Sequence, residues 1–329
     1  MRRLLGLVPI FCLVAGAALA QPASTGSGQA YPARPVRVLI PFTAGSAADI
    51  IARAMEPAMR ERLGQPFVID NRGGAGGNIA AEMTAKATPD GYTIMMATIG
   101  THAINHSLYS KPSFHPQRDF TPVGLVAESP NALVINPKVQ ATSIQELIAL
   151  AKSKPGGLNY GSSGAGTTVH LSAELFSVMT GIKMTHLPHK GAAEALASLL
   201  GGQTDLMFAS LSSSIPLIKA GRLRAFAVTG AKRSPSIPEL PTVAEAAGLK
   251  GYEASAWFGI VGPAGMPKGA VTTLNKAALS ALEDADVRKR LFNAGVEIRT
   301  SSPGDFARYI DSEMQKWARV VKASGAKAD

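Results

Sequence analysis

The sequence predicts an α/β protein of two lobes joined by two crossing strands, with a cleft between them. Three observations predict it. Strand-like and helix-like segments alternate from residue 36 onward, which implies parallel sheets covered by helices. About 300 residues remain after an amino-terminal leader, more than one core usually supports. Two long apolar, β-rich stretches, 122–135 and 252–261, read as an outgoing and a return crossing.

The leader comes first. Arg2 and Arg3 precede an apolar run ending in Ala18-Leu19-Ala20, the small-x-small pattern of a signal peptidase site. The run falls short of the roughly 20 apolar residues of a membrane span and contains Pro9. A signal peptide over 1–20, cleaved after Ala20 and followed by a flexible leader over 21–30, is expected. The single cysteine, Cys12, lies inside it and follows Phe11, too bulky for a lipoprotein site. The mature chain then lacks cysteine, which excludes disulfides, thiolate catalysis and zinc–cysteine sites. The formal charge of +10, less Arg2 and Arg3, leaves +8. The charges are dispersed, aromatics are few and no Lys/Arg-rich run occurs, so a positive field favouring small anions is expected rather than nucleic-acid binding.

A strand over 36–41 is followed by a helix over 46–63, where Ile50, Ile51, Ala54, Met55, Ala58 and Met59 recur at helical spacing. Pro57 should bend that helix or mark a weak turn. A strand over 67–70, a glycine turn over 73–77, a helix over 78–87 and a strand over 92–97 complete a β-α-β-α-β run. After the first crossing, Ser143 caps a helix to 151 with Glu146 at capping-box spacing. Strands over 158–160, 183–186, 206–208 and 223–228 then alternate with helices over 167–179, 192–200 and 215–219. Helices over 270–283, 285–293 and 303–321 follow the return crossing. The expected lobes are 31–127 with 254–329, and 128–253.

In open parallel sheets, ligands bind beyond the carboxyl ends of strands, near helix N-termini. Two segments occupy that position. Pro41-Phe42-Thr43-Ala44-Gly45-Ser46-Ala47-Ala48-Asp49 leaves the first strand, and Gly161-Ser162-Ser163-Gly164-Ala165-Gly166-Thr167-Thr168 leaves a strand of the second lobe. Both are small, hydroxyl-rich and uncharged up to Asp49, so exposed backbone N–H groups and the helix dipole can hold an anion without an arginine. The alternative is a secreted serine hydrolase using Ser162 or Ser163 with His170. Its nucleophile-elbow pattern is spoiled by Ala165 in the last glycine position. The glycines at 73–77 fail dinucleotide spacing because Ile79 stands where a third glycine is needed. His102 with His106, and His186 with His189, lack a carboxylate that completes a metal signature. No cofactor, metal or catalytic group is expected. Trp257, on the return crossing, suits the cleft and the core equally.

These motifs, in this order, resemble the Bug family, the substrate-binding proteins of tripartite tricarboxylate transporters. The resemblance runs from Arg34-Pro35-Val36-Arg37 and the first loop through Asp70-Asn71-Arg72-Gly73-Gly74, Pro89-Asp90-Gly91-Tyr92 and Thr101-His102-Ala103-Ile104-Asn105. It continues through Gly161 to Thr167, Pro188-His189-Lys190-Gly191, Pro238-Glu239-Leu240-Pro241 and Trp257-Phe258-Gly259. It implies a type II-like periplasmic binding-protein fold that closes like a flytrap on a di- or tricarboxylate, an acidic amino acid or an aromatic acid. It also implies delivery to membrane transporter subunits or a sensor, with the chain acting as a monomer in the periplasm. By that resemblance the ligand contacts are Phe42, Thr43, Ala44, Gly45, Ser46 and Asp49, then Ser162, Ser163, Gly166, Thr167 and Thr168, with Thr101 and Ser210 nearby. The chain departs from the family where Ser46 and Ala47 replace consecutive glycines, and where His189 replaces a tyrosine. A cleft-facing His189 implies pH-dependent binding; otherwise the change is neutral.

Overall fold

Residues 31–189 and 191–328 are described in the computed structural model of the chain. The expected signal peptide, its cleavage site and the stretch 21–30 lie outside them. Among the described residues, no helix is long and apolar enough to cross a membrane.

The chain opens with β1 (Val36–Ile40), α1 (Ala47–Leu63), β2 (Phe67–Asn71), α2 (Asn78–Ala85) and β3 (Thr93–Thr98). β1 lies between β2 and β3 and pairs in parallel with both, as the alternation implies. Ser46 caps α1 by accepting the Asp49 N–H, and Gly64 ends it in the left-handed region at φ 64°. The helix runs unbroken past Pro57 because its buried face, including Ile51, Met55 and Met59, packs into the core of this lobe. Its apolar contacts outweigh the one hydrogen bond proline removes. A wide helical turn over Gly100–Ile104 then enters α3 (Asn105–Leu108), a segment whose sequence shows no helical period.

The stretch read as one crossing is two strands. β4 (Phe120–Ser129) belongs to the first sheet and β5 (Asn131–Ile135) to the second. Pro130 separates them because it has no N–H for either ladder. The second lobe continues with α4 (Ile144–Ser153), β6 (Asn159–Ser162), α5 (Thr168–Thr180), β7 (Thr185–Pro188), α6 (Ala192–Gly201), β8 (Leu206–Ser210), α7 (Leu211–Lys219), β9 (Arg224–Val228) and α8 (Val243–Ala247). β10 (Ala256–Pro263) returns to the first sheet, followed by α9 (Lys268–Glu283), α10 (Ala285–Asn293), β11 (Glu297–Ile298) and α11 (Pro303–Ser324). The sheet orders are β11-β4-β10-β3-β1-β2 and β7-β6-β8-β5-β9.

Three expectations need correction. β7 starts two residues later than the sequence suggests. The return strand starts at Ala256 rather than 252, because Tyr252 is buried in the second lobe with its hydroxyl donating to Ser172 O at 3.0 Å. Glu146 does not close a box on Ser143; its carboxylate accepts the Thr142 N–H at 2.7 Å. A complete capping box, Thr242 with Glu245, starts α8, which the sequence reading passed over.

α11 lies against both crossings. Phe306 and Tyr309 meet the Trp257 ring edge-on. Just before α11, Arg299 binds Glu128 at 2.7 Å and Glu253 at 3.1 Å, one carboxylate from each crossing. Phe306, Ile310 and Trp317 share one apolar cluster with Leu133, Phe176 and Tyr252, so the core continues from one sheet to the other on this side.

Candidate functional site

A cavity of about 280 Å³ opens between the two sheets, at the small end of the range for small-molecule pockets. The first lobe contributes Phe42, the start of α1, Gly76 and the turn into α3; the second contributes residues of the loop between β6 and α5, and Ser210. Ser129, Asn131 and Ala256 to Phe258, at the crossings, form its floor. Among the described residues, no Asp, Glu, Lys, Arg or His lines the cavity.

Asp49 explains the shape of the first loop. Only 2% exposed, its carboxylate accepts the Gly45 N–H at 2.9 Å, the Arg53 guanidinium at 3.0 Å and the Asn71 amide at 3.0 Å. The Asn71 amide also donates to Phe42 O at 3.0 Å. Burial alone would raise the Asp49 pKa, but Arg53, the Gly45 N–H and Asn71 together bring it below the usual carboxylate range. Gly45 takes φ 82°, which the turn requires. Ser46 Oγ is spent on the Asp49 N–H. The N–H groups of Ala47 and Ala48, first in a 17-residue helix, keep no acceptor among the described residues and stand at the cavity wall.

The second loop repeats this arrangement. Thr167 caps α5 through the His170 N–H, and its own hydroxyl donates to Gly164 O at 2.8 Å. The Gly166 N–H donates to His170 Nδ1 at 3.1 Å. The N–H groups of Thr168 and Val169, first in a 13-residue helix, have no acceptor among the described residues and line the same cavity. Two helix N-termini, one from each lobe, therefore converge on one largely apolar space. Such a site favours a small anion with an apolar body.

Of the residues singled out from the sequence, the structure brings Phe42, Ser163, Gly166, Thr167, Thr168 and Ser210 to the cavity wall. Thr43, Ala44 and Gly45 are exposed but are not among the lining residues, and Asp49 is buried behind the loop. Thr101 is fully buried, its hydroxyl 2.9 Å from His102 Nδ1 and donating to Thr98 O. Ser162 is also fully buried, its Oγ 2.6 Å from His186 Nε2. The hydrolase pairing with His170 is not made: Ser162 meets a different histidine, and His170 Nδ1 is occupied by Gly166. His189 is absent from the cavity wall and lies 3.6 Å from Glu194. Among the described residues, no group of three His, Cys, Asp or Glu could hold a metal. Sequence reasoning missed Ala47, Ala48, Asn105, Leu108 and Asn131 as lining residues. Only the first two carried a signal, their place at the start of a capped helix. Trp257 proves to be both cleft and core: it is fully buried from solvent and lines the cavity.

Under the second loop, His170 and His186 stack at 4.0 Å and His186 and Tyr160 at 4.8 Å. Glu174, His189 and the Tyr160 hydroxyl are the titratable groups around them. Burial, then the neighbouring His186, lowers His170 to about 3; burial, then His189, lowers His186 to about 4. An unfolded histidine titrates near 6.5. The unfolded chain therefore takes up protons first as pH falls, so stability is full above about pH 6.5 and declines toward about pH 3. In melting curves across this range, His186→Phe, which keeps a ring in the stack, is expected to flatten the decline. Parallel curves for the two proteins would exclude this account.

The family model described as the tripartite tricarboxylate transporter family receptor, TctC, matches residues 51–326. BugT of Bordetella pertussis is 35% identical over 328 residues, covering 99% of each chain. Among solved structures, R. palustris Rpa4515 with adipate is 41% identical, with TM-score 0.78 over 90% of this chain and 99% of that one. MatC from Rhodopseudomonas palustris with bound malate is 34% identical, with TM-score 0.75 over 88% of this chain and all of that one, 100%.

Proposed function

The chain belongs to the family of tripartite tricarboxylate transporter receptors, and from that premise we propose that it captures a small carboxylate in the interlobe cavity. Receptors of this family are periplasmic and bind their solute without transforming it, which removes the hydrolase alternative. The observation that carries the proposal is the pair of helix N-termini. Ala47 and Ala48 from one lobe and Thr168 and Val169 from the other offer N–H groups to one cavity with no charged side chain among the described residues of its wall.

The magnitudes are sufficient. A hydrogen bond to a charged group contributes about 1.5–3 kcal/mol, and micromolar affinity requires about 8 kcal/mol. Four such bonds reach that figure if closing the lobes costs only a few kcal/mol. Adipate and malate in the two neighbouring structures support a carboxylate as the ligand class. In the same proposal, 31–127 with 254–329 and 128–253 close as two lobes about the crossings. The chain is exported with cleavage after Ala20, acts as a monomer, and hands its ligand to a tripartite transporter or a sensor.

A panel of mono-, di- and tricarboxylates at millimolar concentration tests this. A ligand present at about 100 times its Kd stabilises by about 2.7 kcal/mol, and a clear rise in Tm is expected for at least one member. No shift with any member would refute the proposal.

A further inference from the structure

The cavity wall holds two buried asparagines whose side-chain oxygens take no donor from the described residues. Asn131, 2% exposed, donates from Nδ2 to Ser172 Oγ at 3.0 Å. The Ser172 hydroxyl itself lies 2.6 Å from Thr168 O and 3.3 Å from Ala254 O. Both are carbonyls, so the single Ser172 proton goes to one of them, and Ser172 can only accept from Asn131. That arrangement spends one of the two Nδ2 hydrogens and turns Oδ1 away from Ser172. Oδ1 takes no donor from the described residues, is absent from the buried orphan atoms, and belongs to a cavity-wall residue, so it opens into the cavity. Asn105, 4% exposed, is arranged alike: Nδ2 donates to Gly76 O at 3.0 Å and to Asn78 Oδ1 at 2.6 Å, spending both hydrogens. Its Oδ1 is likewise an acceptor without a donor on the cavity wall. Beside them Ser129 points its proton toward Gly295 O at 3.4 Å.

We infer that the ligand carries, apart from the carboxylate held by the helix N-termini, a neutral hydroxyl that donates to Asn131 Oδ1 or Asn105 Oδ1. This rests on the carboxylate-binding proposal and specifies its substrate class. A carboxylate set against either oxygen would meet lone pairs, with only the second Nδ2 hydrogen of Asn131 left there to offset them. An ammonium would be buried without a carboxylate in the wall to neutralise it. A hydroxyl satisfies the acceptor and adds no charge, while the apolar body lies along Trp257 and Ile104.

Titration calorimetry near neutral pH with straight-chain sets of four to eight carbons tests this, each set comprising the alkanoate, the ω-hydroxyalkanoate, the α,ω-diacid and the ω-aminoalkanoate. At the best-fitting length the hydroxy acid is expected to bind about 10- to 100-fold more tightly than the other three, the range set by leaving a buried acceptor unpaired. In Asn131→Leu the ratio of hydroxy acid to alkanoate should fall at least severalfold; a ratio cancels losses common to both ligands. Asn131→Asp, similar in size and still an acceptor, should keep a hydroxyl preference and gain affinity for the amino acid, which covers the case of a leucine variant that does not fold. A diacid that binds tightest, or an alkanoate that binds as well as the hydroxy acid, overturns the inference while sparing the carboxylate site. If no member of any set binds, the inference is overturned, and the carboxylate proposal is decided by the wider panel described above.

Discussion

Gly166→Val is expected to reduce ligand affinity at least 100-fold while both lobes remain folded. Gly166 takes φ 76°, and a Cβ built on it would lie 2.3 Å from Leu108 Cδ2. Leu108 ends α3 of the first lobe, so the added atoms would wedge the two halves of the cavity apart where they meet. The backbone contribution is about 1–2 kcal/mol for a left-handed non-glycine residue, and overpacking adds about 1–3 kcal/mol. Strain of about 2–5 kcal/mol, placed at the loop that presents Thr168 and Val169, is roughly a quarter to three fifths of the about 8 kcal/mol of micromolar binding. The steric part can be separated from the backbone part. Gly166→Val with Leu108→Ala should bind more tightly than Gly166→Val alone but less tightly than Leu108→Ala alone. Calorimetry with any carboxylate that shifts the Tm measures both. Near-normal affinity in the single variant would mean that close approach at Gly166 is unimportant.

The largest expected loss of stability follows from Glu313→Leu. Glu313 is 4% exposed on α11, and its Oε2 accepts the indole N–H of Trp257 at 3.1 Å and of Trp317 at 3.0 Å. Its other oxygen pairs with Lys316. Leucine would leave two buried donors and an ammonium without their partner. Each orphaned donor costs about 1–3 kcal/mol, and breaking a buried ion pair from one side costs about 3–5 kcal/mol; the two overlap, so about 3–5 kcal/mol in total is expected. At about 2–4 °C per kcal/mol for a chain of this order, the Tm should fall by roughly 6 °C or more. Glu313→Gln keeps one acceptor oxygen and should lose about half as much. A Tm within about 2 °C of the parent for the leucine variant would show that the indoles find other partners.

The α/β architecture was legible because its signals are local. The cap at Ser46, the apolar spacing through Met59 and the cap at Thr167 each lie within one turn of the element they start. The break at Pro130 was visible as a residue but not as a boundary, since apolar side chains continue on both sides of it. The turn over Gly100–Ile104 is wound too widely to leave a 3.6-residue period. Asp49 drew attention as the charged residue of the first loop, yet a carboxylate that deeply buried needs its own donors, and Arg53 and Asn71 supply them. Asn105 and Asn131 could not be picked out at all. What marks them is the direction of an amide, set by partners 27 and 41 residues away.

The shared carboxylate at Glu313 has a spectroscopic consequence. The chain has two tryptophans, and both indoles are tied to that one group, with Trp257 also forming part of the cavity wall. With excitation confined to the indole band, which passes over the six tyrosines, the emission therefore originates at a single spot beneath the cleft. It is a built-in optical gauge of occupancy that requires no attached dye, and one in which neither indole can serve as a silent reference for the other.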